Sequence, residues 1–164
     1  MYLLDADVFI EAKDTYFAMD FCPGFWDWLV HAHHQGRLFS IDRVRAELLA
    51  GDDELSEWVK RIPRSFFLKP ASNTTESLRV IADWTSRSDH YEQDAKAAFL
   101  ARADYYLVAP AHERGYAVVT NEKATESKRQ IKIPNACAPH GVPVRTLFEV
   151  LRAEPVQLVA SFGS

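Results

Sequence analysis

This chain predicts an α/β fold, a three-layer α/β/α sandwich around a central parallel sheet of four to five strands, and three observations carry that reading. Short apolar runs alternate with amphipathic stretches along the chain, the pattern of strands joined by helical crossovers. The runs at 2–5 and 117–120 have the character of buried strands. The 164 residues, 48% hydrophobic with ten Phe, six Tyr and four Trp, suit one domain over 1–164 with a sizeable core. No internal repeat, low-complexity tract or linker divides it.

In order, residues 2–5 form a strand ending at Asp5, followed at once by a turn and a helix. Over 24–35, Phe25, Trp26, Leu29, Val30 and Ala32 recur at spacings of three and four, which predicts a helix. Gly36 ends it, 38–41 is the next strand, and Asp42 is expected to cap a helix from Arg43. Gly51-Asp52-Asp53 breaks the chain before an amphipathic 54–61, and 66–68 is an edge strand closed by Pro70. Residues 74–84 predict a helix and 86–89 a loop. One longer helix is expected over 92–113, kinked or shortened by Pro110 and ended by Gly115. Then come a strand at 117–120, a proline-spaced loop at 131–139, a last strand at 142–145 and a helix at 146–153.

Composition narrows the function classes. No apolar run approaches the roughly 18 residues of a membrane span, and the N-terminus lacks a charged-then-apolar leader. Cys22 and Cys137 alone imply no disulfide framework, so a reducing cytoplasm is the expected compartment. A net charge of −4 counts against a strong non-specific nucleic-acid binder, but clustered active-site acids lower net charge in a nuclease too.

Four acids stand out: Asp5 and Glu122 directly after apolar strands, and Glu47 and Asp104 on helices. Open α/β sheets bind ligands beyond the carboxyl ends of their strands. Carboxylates converging there would bind hard divalent cations, which take oxygen ligands. Asp104 falls in the middle of a stripe of Ala97, Leu100, Ala101, Leu107, Val108 and Ala111, where a carboxylate is costly unless paired or bound to metal. Its bland alternative is an acid at the end of the stripe, paired with Arg102 or another basic residue. Glu47 shares a side with Val44 and Leu48, and its alternative is a surface ion pair with Arg43. Asp7 adds a fifth carboxylate or caps the following helix. Thr120 is either an ordinary strand residue or a hydrogen-bond donor to a phosphate or a metal-bound water. Lys123, Lys128, Arg129 and Lys132 could position phosphates beside the acids; the alternative is a solvated, mobile loop.

These residues, in this order, resemble the PIN-domain nucleases. The family's opening strand ends in Asp-Thr-Asn or Asp-Thr-Ser; here the stretch is Asp5-Ala6-Asp7-Val8-Phe9-Ile10. Its second acid is similar to Glu47 in Ser40-Ile41-Asp42-Arg43-Val44-Arg45-Ala46-Glu47, its third to Asp104 in Ala103-Asp104-Tyr105-Tyr106, and its fourth to Glu122 in Thr120-Asn121-Glu122. Two departures are Asp7 for the usual Asn or Ser and Glu122 for the commoner Asp. Residues 23–29 and 132–137 resemble a prokaryotic PIN-like subfamily once filed as a domain of unknown function, many of whose relatives are toxins of toxin–antitoxin pairs. The resemblance implies Mg²⁺ or Mn²⁺ held by Asp5, Glu47, Asp104 and Glu122, with Asp7 and Thr120 in support, and cleavage of single-stranded RNA to leave a 5′-phosphate. It implies a cognate antitoxin as partner, and a homodimer is a further expectation.

Other readings carry less. His31, His33 and His34 are expected to be a solvated helix end, because no further ligand completes a zinc set. Trp28 points away from the Phe25, Trp26 and Leu29 side and, if exposed, would suit a dimer or antitoxin contact. Asp5-Ala6-Asp7 also resembles the nucleophile motif of haloacid-dehalogenase-type phosphatases. Beyond Lys132, however, only Glu149 and Glu154 remain to supply that family's downstream acids. A non-catalytic PIN-like module binding RNA or protein is the remaining alternative.

Overall fold

The computed structural model describes residues 1–72 and 74–162, and its centre is a five-stranded, wholly parallel sheet. The strands are β1 (Tyr2–Leu4), β2 (Leu38–Ile41), β3 (Phe67–Leu68), β4 (Ala117–Val119) and β5 (Val144–Arg145), in the order β3-β2-β1-β4-β5. Helices flank the sheet in a three-layer α/β/α sandwich. They are α1 (Ala6–Glu11), α2 (Pro23–His34), α3 (Asp42–Ala50), α4 (Glu54–Arg61), α5 (Thr74–Arg87), α6 (Gln93–Ala101), α7 (Ala103–Arg114), α8 (Ile133–Cys137) and α9 (Leu147–Ala153). A π-helical turn over Ala12–Tyr16 extends α1.

Leu3, Leu4, Val118 and Val119 are buried, as central parallel strands covered on both faces must be. An aromatic cluster of Phe9, Trp26, Trp58 and Phe66 fills the space between α1, α2, α4 and the turn before β3. The chain runs outward from β1 through β2 to β3, then crosses to the other side of β1 and continues through β4 to β5. Strand order therefore reverses between β1 and β4, and a crevice opens at their carboxyl ends. Among the described residues, no helix is long and apolar enough to cross a membrane.

Several elements differ from the sequence expectation. The helix expected over 92–113 is two helices, interrupted at Arg102, whose backbone is extended (φ −90°, ψ 163°). The stripe through Asp104 is therefore not one face: Ala97 and Ala101 are exposed while Leu107, Val108 and Ala111 are buried. Pro110 is accommodated within α7, and the break falls eight residues before it. The region 131–139 is not all loop, because α8 begins at Ile133 with Pro134 in its first turn, where a missing N–H is harmless. Asp42 lies in the first turn of α3 rather than capping it, paired with Arg64 at 2.8 Å.

Candidate functional site

The crevice between β1 and β4 is a cleft of about 330 Å³ lined by Asp5, Asp7, Glu47, Asp104, Glu122 and Arg102, with Ala6 and Ala103. All four acids singled out from the sequence reach it, and so does Asp7. They arrive from four parts of the fold: Asp5 and Asp7 from the β1–α1 junction, Glu47 from α3, Asp104 from the first turn of α7 and Glu122 from the segment after β4.

Asp5 is 7% exposed and caps α1, its Oδ1 accepting from the Ala6 N–H at 2.7 Å. Its Oδ2 accepts from the Thr120 hydroxyl at 3.0 Å. The parallel register pairs Leu4 with Val119, so the next residues, Asp5 and Thr120, come side by side. The buried Ser40 hydroxyl donates to the Leu4 carbonyl at 2.7 Å, tying β2 to the end of β1 just before Asp5. Sequence reading missed that tether, for which a Ser within an apolar strand is the available signal.

Asp7 Oδ2 accepts from the Asn121 N–H at 3.3 Å, while its Oδ1 is buried with no hydrogen-bond partner among the described residues. A buried acceptor left unpaired costs about 1–3 kcal/mol. A proton or a cation in the cleft would satisfy it. Asp7, read from sequence as a supporting residue, lines the cleft together with the four acids.

Asp104 sits at the N-terminal end of α7, where the helix dipole favours a carboxylate. Its proposed partner Arg102 approaches only to 3.8 Å and is itself 61% exposed, so the pair is weak. Glu47 is exposed, and Arg43, its alternative partner, instead lies over the Tyr106 ring at 3.4 Å. Glu122 is held in place: Lys132 donates to its Oε1 at 3.1 Å and the Ile133 N–H to its Oε2 at 2.8 Å. Its own N–H donates to the Thr120 hydroxyl oxygen at 3.1 Å.

The acids feel one another. Burial, then the neighbouring Asp7 and Asp104, lift Asp5 to about 8, against an ordinary 3.8. Burial raises Asp7 as well, with Glu122 and Glu11 adding to it. Asp104 is raised by burial, partly offset by Arg102, with Glu122 and Glu47 pushing upward. This is the mutual repulsion expected of carboxylates sharing one pocket.

An all-oxygen donor set and the unpaired Asp7 oxygen suit a hard divalent cation. Among the described residues, no three His, Cys, Asp or Glu groups form a ready-made metal cage. A cation in the cleft would therefore draw the carboxylates closer together than they stand here.

The basic run divides. Lys123 and Lys128 are exposed and line no part of the cleft, whereas Arg129 and Lys132 lie beside it. The segment is pinned, since the Glu92 N–H donates to the Lys128 carbonyl at 2.9 Å and Thr125 and Asn135 exchange two hydrogen bonds. His33 is not solvated: it is buried and bonded to the Leu38 carbonyl and the Ser65 hydroxyl. His31 and His34 are exposed. Trp28 is half-buried against Phe25 and faces the segment after α9.

The model of one family, Domain of unknown function (DUF4411), matches residues 2–158, and the chain belongs to that family. No curated protein and no solved structure matches it.

Proposed function

We propose that this family member is a metal-dependent endoribonuclease that cleaves single-stranded RNA. The observation that carries the reading is the gathering of five carboxylates, one with a buried unpaired oxygen, at the reversal point of a parallel sheet. Asp5, Asp7 and Asp104 would hold Mg²⁺ or Mn²⁺, with Glu47 and Glu122 completing the set. When bound, such an ion lowers the pKa of an attacking water and offsets charge developing on the scissile phosphate.

The chain's own residues prepare the site. Thr120 orients Asp5 by donating to Oδ2, and Ser40 fixes the strand end from which Asp5 projects. Lys132 and the Ile133 N–H hold Glu122 at the rim. Residues 23–29 and 132–137 resemble a prokaryotic PIN-like subfamily, many of whose relatives are toxins, which makes a type II toxin restrained by a cognate antitoxin the cellular role of this reading.

Glu149 is engaged in the capping box of α9 and Glu154 pairs with Arg37, so neither supplies the acids a haloacid-dehalogenase-type phosphatase needs. A non-catalytic binding module is the second reading. What favours it is Glu122, already satisfied by Lys132 and Ile133, beside an exposed Glu47.

Cleavage of end-labelled single-stranded RNA in Mn²⁺, Mg²⁺ or EDTA separates the two. The nuclease reading predicts metal-dependent cutting that Asp5→Asn and Asp104→Asn each reduce by about 10² or more, as loss of a charge-stabilising group does. Absence of cutting in every metal, or cutting that survives both substitutions, would overturn it.

A further inference from the structure

A second hollow adjoins the acidic cleft. It measures about 270 Å³ and is lined by Phe99, Arg102, Arg129, Ile131 and Lys132, among others. Arg102, at the break between α6 and α7, is a wall of both spaces. Lys132 faces the second and reaches the first through Glu122. Phe99 and Ile131 are buried, so the floor is apolar and the charge sits at the rim.

The two arginines there are lightly engaged, whereas Lys132 donates to Glu122 and has two further N–H donors to offer. Arg102 lies 3.8 Å from Asp104 and Arg129 lies 3.7 Å from Glu92, both beyond hydrogen-bond reach. Among the described residues, neither guanidinium group donates a hydrogen bond to a side chain or carbonyl. Each offers five N–H donors in a fork that matches phosphate oxygens. An acidic cleft repels a polyanion, so a strand threaded past it needs positive charge alongside. Arg102, Arg129 and Lys132 supply it within one continuous depression.

We infer that this second hollow binds the phosphodiester of single-stranded RNA adjacent to the one held at the acidic cleft, with Arg102, Arg129 and Lys132 as its phosphate ligands. The inference rests on the nuclease reading of the neighbouring cleft. The contacts are to phosphate, so they fix the register of the strand without reading its bases. Lys123 and Lys128, exposed and outside the hollow, contribute little to strand affinity.

The test is anisotropy binding of short RNA single strands in Ca²⁺, which takes oxygen ligands without the tight octahedral geometry of Mg²⁺, with the strands checked by gel to be uncut. A dinucleotide has one phosphodiester and a trinucleotide two, so the wild-type chain should prefer the trinucleotide. Arg129→Ala and Arg102→Ala should erase that preference, and should weaken binding of longer strands on the order of tenfold at low salt. Each should also lower the salt slope by about 0.7, the value for one lost phosphate contact on a single strand. Arg129→Lys should keep most of the slope, and Arg79→Ala, on the exposed face of α5, should change nothing. Both target side chains are largely exposed, at 61% and 82%, so their removal should leave the fold intact.

Unaltered binding and salt slope in Arg129→Ala and Arg102→Ala, with metal-dependent cutting intact, would overturn the phosphate site and leave the nuclease reading standing. Binding that depends on Arg129 and Arg102 in a protein that never cuts would support the site and sink the nuclease. No length preference in the wild-type chain would overturn the site.

Discussion

The Asp5 carboxylate caps α1 with one oxygen and takes the Thr120 hydroxyl with the other, and burial beside Asp7 and Asp104 lifts its pKa to about 8. A carboxyl whose pKa is higher folded than unfolded holds its proton more tightly in the folded state. Without metal, its contribution to stability is therefore greatest at low pH and is lost as pH rises from about 4 toward about 8. Asp5→Asn removes that dependence while its amide oxygen keeps the cap. In EDTA, urea unfolding should find Asp5→Asn more stable than wild type by about 1–3 kcal/mol at pH 8, with the difference fading toward pH 4. Equal stability at both pH values would mean that Asp5 is not strained by its neighbours. At this scale the sequence was informative, because an acid after an apolar strand is visible as such. The worth of Asp7 was not visible: its Oδ2 accepts from Asn121, more than a hundred residues away, and its Oδ1 is buried with no partner among the described residues, which only the fold reveals.

Among the elements, β1, β2 and β4 were legible because an unbroken apolar run of a few residues leaves little choice of structure. The break at Arg102 was hidden, since small and apolar residues on both sides of it keep a helical spacing that two short helices satisfy equally well. It matters for the site: the interruption places Asp104 in the first turn of α7 and Arg102 between two clefts. α8 was hidden for a different reason: it is only five residues long, and its first N–H is satisfied by the Glu122 side chain from the loop before it. The other end of α7 was readable, with Gly115 in the left-handed conformation (φ 66°) donating its N–H to the Ala111 carbonyl. A Cβ there meets no neighbouring atom, so Gly115→Ala costs backbone strain alone. That strain is about 1 kcal/mol. A melting temperature lower by about 2–4 °C, with RNA cleavage unchanged, is the expected result. A large loss of cleavage would show that the C-terminal end of α7 governs the placement of Asp104.

For the molecule as a whole, the order β3-β2-β1-β4-β5 brings together acids that the sequence scatters from Asp5 to Glu122. The expected parallel sandwich is the observed one, and the carboxyl ends of β1 and β4 become neighbours because the sheet is wound outward in both directions from its centre. Sequence order alone shows two acids after strands, Asp5 and Glu122, and two on helices, Glu47 and Asp104; the topology makes them one cleft. The surplus of negative charge in that cleft, with Arg102 the one cation lining it among the described residues, is the whole-molecule feature on which everything else depends. A calorimetric Mn²⁺ titration of the wild-type chain and of Asp5→Asn tests it most directly. The wild type should bind saturably, with proton release near pH 7 as Asp5, raised to about 8, ionises, and the substitution should weaken binding at least tenfold. No binding, or binding equally tight in both proteins, would contradict the claim that these carboxylates form one divalent-cation centre.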